Sequence, residues 1–288
     1  RQRLEGVADA AVAVGDSLAH DLFRPFEADL VIVDAPWGLN WSHSAPAIES
    51  RRAAGHFRFG LPQQSDGVWL FISMAIEKLR ASADGGGRVA ALVNPAALSR
   101  RGRTADVRRQ ILEADLLESV TRLPEGLAPN TSIPLYLLTF SNSHRTSGSG
   151  TVVVADLQTE FISHRGRRSL RVEALTELES GLRTGRPGPR NRTVSGRKFI
   201  RRDARVTRTA SDGHRLSWRL ATFGDTRIDS SFLASRYGQQ TGIAVDGMPV
   251  EIIDFDPGHI LGDNARDLLR EMDARSWPCV RLSSLLLR

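Results

Sequence analysis

The chain has 288 residues, 41% of them hydrophobic and 25% charged, which is enough for a real core and for more than one unit, and excludes a disordered chain. Its single cysteine, Cys279, excludes an internal disulfide framework and a multi-cysteine metal site, so no metal is expected and a reducing, cytoplasmic setting is. The net charge is +6, and no apolar run reaches the length of a membrane span, so no membrane partner is expected.

In chain order, AVAVGDSL (11–18) reads as a short strand ending at Asp16, and ADLVIVDAPW (28–37) as a second ending at Asp34. Pro36 and Gly38 supply the turn after that strand, but Asp34 and Trp37 are costly choices for punctuation alone. DGVWLFISMAIEKLRAS (66–82) places Trp69, Leu70, Ile72, Ser73, Ile76 and Leu79 at helical spacing, with Asp66 as N-cap. DGGG ends it. RVAALVNP (88–95) is a buried strand and RTADVRRQILEADLL (103–117) an amphipathic helix. ESVTRLP and IPLYLLTFS bracket a loop and suggest an antiparallel pair at a sheet edge, followed by a polar Ser/Gly-rich loop, 141–150. RLSWRLATF and DSSFLASRYG suggest short strands or a helix, DNARDLLREMDARS (263–276) a helix, and WPCVRLSSLLL a further strand.

Alternating strands and helices imply a mostly parallel sheet with helices on both faces, in which ligands bind at the carboxyl ends of strands. Asp16 and Asp34 stand there; as plain structure, each caps the following turn. Charge is unevenly spread: 161–209 contains 14 Arg and Lys against 4 acids, 14 − 4 = +10, leaving 6 − 10 = −4 for the remainder. Such a strip suits either a polyanion, most simply nucleic acid, or a solvated linker. HFRFG (56–60) interleaves Phe57 and Phe59 with Arg58, a pattern suited to contacts with a nucleic-acid strand, and SRRGR (99–103) offers Arg100 and Arg101. His43, His56 and His214 lack metal-ligand spacing.

The stretches GDSL…ADLVIVDAPWG and WLFISMAIEKLRAS through IPLYLLTF, with TVVVADLQTEF and the helix after it, resemble the methylation subunit of type I restriction-modification systems. The resemblance covers about residues 11–182. It implies a partial Rossmann-like α/β sheet of the class I methyltransferase kind, S-adenosylmethionine as cofactor, and methylation of adenine N6 in duplex DNA. A specificity subunit or specificity domain, and a restriction subunit, are the implied partners. The site residues it implies are Asp34, Ala35, Pro36 and Trp37 for catalysis, with Asp16 and Asp34 toward the cofactor. The motif in that family is Asn-Pro-Pro-aromatic; here Asp34 replaces the Asn and Ala35 the first Pro, and aspartate there also occurs in cytosine N4 methyltransferases. Only 15 residues precede Asp16 and none forms the glycine-rich cofactor loop, so the segment bearing that loop is expected to be missing and the Asp34 strand to have an unpaired edge.

The expected organisation is a methyltransferase portion at 1–182, a basic linker at 183–210 with Arg197 and Lys198 on phosphates, and a small α+β region at 211–288 that opens a specificity-like domain. Two alternatives stand beside it. One is a DNA-binding or assembly module that retains the fold without catalysis. The other is a GDSL-type esterase with Ser17, Asp256 and His259 as its triad.

Overall fold

The computed structural model describes residues 11–23, 26–128, 132–143, 150–165, 167–209, 213–237 and 243–261. The elements in chain order are β1 (Leu30–Asp34), α1 (Ala45–Ala53), α2 (Val68–Glu77), β2 (Arg88–Val93), α3 (Pro95–Ser99), α4 (Arg103–Glu113), β3 (Leu117–Arg122), β4 (Tyr136–Ser141) and β5 (Thr151–Asp156). There follow β6 (Phe161–His164), β7 (Arg167–Leu170), α5 (Val172–Thr184), β8 (Asn191–Ser195), β9 (Ile200–Thr209), β10 (Arg215–Phe223), α6 (Ser230–Tyr237), β11 (Ile243–Ile253) and α7 (Gly258–Leu261).

The principal sheet has the order β1-β2-β4-β3-β5-β8. Two of its pairs are parallel, β1 with β2 and β3 with β5, while β4 and β8 run antiparallel to their neighbours, so the sheet is mixed. Alternation in β2 explains its place: Val89, Ala91 and Val93 are fully buried on one face, against α2 and α4 residues such as Trp69, Ile72, Val107 and Ile111. Burying each of the two valine side chains contributes about 1.5–3 kcal/mol. On the other face α5 covers β5 with Ala174 and Leu178 against Ala155 and Leu157, and ends where Gly185 takes a left-handed φ of 66°. α3 starts at Asn94, whose side chain accepts from the Ala97 N–H, with Pro95 in the first turn.

Several expectations are corrected here. Residues 11–14 form no strand; Val12 and Val14 are 86% and 95% exposed, because no neighbouring strand pairs with them among the described residues. Asp66 is not the cap of α2: Gly67 occupies that position without a side-chain hydrogen bond, and Asp66 is buried. The β3–β4 pair is antiparallel as expected but internal to the sheet, since β4 lies between β2 and β3. Among the described residues β1 lies at the end of the sheet, with Leu30 and Ile32 57% and 76% exposed.

Residues 183–210, expected as a basic linker, carry β8, which extends the principal sheet, and β9, the central strand of a second sheet of order β10-β9-β11. Acids take up much of the charge of this segment. Arg190 pairs with Glu160 and Glu177, Arg201 with Asp203 and Asp254, and Arg202 with Glu251. α6 closes one face of the second sheet, where Ala204, Val206, Leu220, Ile228 and Leu233 are buried together. The two sheets share a core, because Phe199, Ile253 and Phe255 pack with the buried residues of the first. The helix expected at 263–276, the strand after it and Cys279 lie outside the described residues. No helix among the described residues is long and apolar enough to cross a membrane.

Candidate functional site

The sheet register brings the site residues together. Asp34 is paired with Leu92 across two parallel strands, so the segment Asp34-Ala35-Pro36-Trp37 and the segment Val93-Asn94-Pro95 leave the sheet at the same end. Tyr136, the register partner of Val93, starts β4 beside them and is buried. Burial, chiefly, raises the Tyr136 phenol above its ordinary range. Asn94 and Tyr136 were not among the expected site residues. The signal for Asn94 was the rule that adjacent parallel strands contribute their carboxyl ends to one crevice; Tyr136 needed the antiparallel register.

Within this crevice Asp34 is exposed and Ala35 buried in the core. Trp37 is half-buried: one side packs on the core, and its Nε1 is buried with no hydrogen-bond partner among the described residues. An open groove of about 260 Å³ runs along β1, lined by Ile32, Asp34 and Pro36 and by Phe71, Met74 and Lys78. The groove is lined mostly by apolar side chains, with the Asp34 carboxylate and the Lys78 ammonium, which pairs with Asp21 at 2.7 Å, as its charged groups.

Asp16 is engaged elsewhere. One of its carboxylate oxygens accepts from the Leu18 and Ala19 N–H groups and the other from the Ser44 hydroxyl. Slight burial pushes its pKa up, but the hydrogen bonds from Ser44, Ala19 and Leu18 outweigh it, and the net shift is downward. The cap reading of Asp16 is thus the one its hydrogen bonds display, and it ties the 16–19 turn to the start of α1.

The residues expected on DNA are placed unequally. Phe57 corrects that expectation: it is fully buried with Trp41, Ile48 and Leu70, and adopts a left-handed φ of 51° in the turn after α1. Arg58 is exposed, its guanidinium 4.8 Å from the centroid of the buried Phe59 ring. Arg100 hydrogen-bonds Ser65 and lies 3.7 Å from Asp66, and Arg101 pairs with Asp203 at 2.6 Å. Arg197 pairs with Asp225 at 2.8 Å, and Lys198 is exposed while its carbonyl accepts from His259. The three residues named for an esterase triad make other contacts. His259 stacks on Phe223 and bonds the Lys198 carbonyl, Asp256 accepts from the Gly258 N–H, and the Ser17 carbonyl accepts from Arg51.

Residues 4–185 match the family model described as N-6 DNA Methylase. A curated relative, the type I restriction enzyme MjaVII methylase subunit of Methanocaldococcus jannaschii, is 26% identical over 163 residues, covering 55% of this chain and 27% of the relative. The MjaVIII methylase subunit of the same organism is 23% identical over 164 residues, covering 54% and 27%. The chain therefore spans about a quarter of the length of these relatives. Among solved structures, the type I restriction-modification methyltransferase subunit of Streptococcus thermophilus superposes with a TM-score of 0.53 at 19% identity, covering 63% of this chain and 37% of that one. That likeness is one of fold.

Proposed function

The chain belongs to the N-6 DNA Methylase family, and from that premise we propose that it contributes the target-base side of an S-adenosylmethionine-dependent methylation of adenine N6 in duplex DNA, within a restriction-modification system. The observation that carries the proposal is the exposed Asp34 at the carboxyl end of β1, where it lines the β1 groove and is followed three residues later by the half-buried Trp37. An exocyclic amine conjugated to a purine is a poor nucleophile. The Asp34 carboxylate and the Ala35 carbonyl accept its N–H groups, favour a localised lone pair, and stabilise the positive charge that develops on nitrogen. S-adenosylmethionine, when bound, supplies a methyl group on a sulfonium. Trp37 offers a ring face for a base extruded from the duplex, a stack worth roughly 1–3 kcal/mol, and Pro36 fixes the turn between acceptor and ring. Partners in this reading are duplex DNA and the specificity and restriction subunits of such a system.

One observation favours a second reading, a module that binds DNA without catalysis. Asp16, the residue expected on the cofactor, is committed to its own turn. Transfer of tritiated methyl from S-adenosylmethionine to an adenine-containing duplex by the full-length gene product separates the two. Asp34→Ala is expected to lower transfer by about 10²-fold or more, in the range lost when one preorganised electrostatic partner is removed, with the fold unchanged. Unchanged transfer in that variant sinks the proposed role; salt-sensitive binding with no transfer in the unaltered protein establishes the second reading. Nucleoside analysis of the product distinguishes N6-methyladenine from N4-methylcytosine.

A further inference from the structure

We propose that the open face of the β9–β10 ladder binds the phosphodiester backbone of duplex DNA, with Arg205 and Arg219 as its two anchors. The choice of duplex over other polyanions rests on the methylase reading; the anion site itself rests on the sheet. Residues 200–223 contain six Arg against two Asp, 6 − 2 = +4. Four of these arginines have partners: Arg201 and Arg202 pair with acids of the second sheet and its continuation, Arg215 lies 3.5 Å from Asp246, and Arg208 has a contact of its own. Arg205 and Arg219 differ. Both are exposed, and among the described residues neither side chain has an ion pair or hydrogen bond.

Their register makes the pattern unusual. Arg219 stands directly opposite Arg205 on the antiparallel partner strand, so the two side chains project from the same face of the sheet as neighbours. Like charges directly opposed across strands cost stability, and a bound anion removes that cost. The next row on that face holds the exposed Ser217 opposite Thr207, which is buried, and the row beyond it Arg215 opposite Thr209, both exposed, in steps of about 6.8 Å along the strands. Arg, Ser and Thr are the residue types that position a phosphate backbone without reading its sequence. One exposed acid, Asp246, lies beside Arg205 on the third strand and is shared with Arg215. On the opposite face of the sheet α6 packs over Ala204, Val206 and Leu220.

Fluorescence anisotropy of a labelled 20-base-pair duplex of random sequence, titrated with the full-length protein at several salt concentrations and without cofactor, tests this. The double variant Arg205→Gln, Arg219→Gln is expected to bind roughly tenfold or more weakly at low salt and to lower the slope of log K against log salt by about 1.8, which is 0.9 for each phosphate released. Its thermal midpoint should be equal or higher, because the like-charge pair is gone. Arg205→Lys with Arg219→Lys should restore the slope, and Asp246→Asn should tighten binding. Affinity and slope equal to the unaltered protein overturn the proposal, as does a loss seen with phosphatidylserine vesicles and not with duplex. Binding is read without methyl transfer, so failure of the Asp34 chemistry leaves this result standing, and the converse holds as well.

Discussion

Asp66 sits beneath the entry to α2, buried, with one carboxylate oxygen lacking any hydrogen bond among the described residues. Burial raises its pKa, against the pull of Arg100 and Arg108. The sign follows from that direction: ionisation favours the unfolded chain, so its contribution to stability is greatest below the unfolded value of about 4 and is lost as pH rises through that value toward the raised folded one. Asp66→Asn is therefore expected to leave stability equal or higher at pH 7, with the gain vanishing near pH 4, as urea unfolding at the two pH values would show. A clear loss at pH 7 would mean that the pairing with Arg100 and Arg108 outweighs burial. Arg108 presents the opposite case. It is fully buried on α4, its pKa lowered to about 10 by that burial, and it donates to the carbonyls of Ala97 at 2.9 Å, Arg100, and Ile253 at 2.7 and 3.0 Å. Arg108→Met strands those acceptors and should cost about 3 kcal/mol or more. At this scale the place of Asp34 at the carboxyl end of its strand was legible, because a β-branched run that stops at Pro36 and Gly38 marks its own end. Phe57 was misread because interleaved aromatics and cations look alike whether the rings face a nucleic acid or the core.

Individual elements were legible where burial is one-sided. The helical spacing of Trp69, Ile72 and Ile76 and the run RVAALV both identify themselves, since each must bury one face. The strand expected at 11–18 failed because alternation marks a strand only when a neighbour exists to pair with it. A tight crossing fixes the start of β2. A Cβ at Gly87 would lie 2.6 Å from the Ala28 carbonyl oxygen and 2.9 Å from that of Asp29, both backbone atoms that cannot swing aside. The Asp29 carbonyl also accepts from the Arg88 N–H at 2.8 Å, the first bond of the β1–β2 pair. Gly87→Ala is expected to lower stability by about 1–3 kcal/mol through forced backbone displacement, measured as a fall in the thermal midpoint. A variant as stable as the parent would show that β1 has freedom to shift.

For the whole molecule, the decisive feature is the common core. Phe255 meets both Phe199 and Trp69 edge-on, its N–H donates to the Leu98 carbonyl, and Arg108 ties α4 to the end of β11. Unfolding of the two sheets should accordingly be a single cooperative transition, with tryptophan fluorescence and far-ultraviolet circular dichroism coincident; two resolved transitions would show that this core does not couple them. The family, the α/β class and the acid at the strand end follow from the sequence itself, because periodicity and a short motif are local properties written in adjacent residues. Which strand lies beside which, the joining of the basic segment to two sheets, the commitment of Asp16 to its turn, and the meeting of Arg205 with Arg219 depend on register and on partners distant in the chain. Those pairings are chosen by the joint burial of side chains from many elements, so only the tertiary structure decides them.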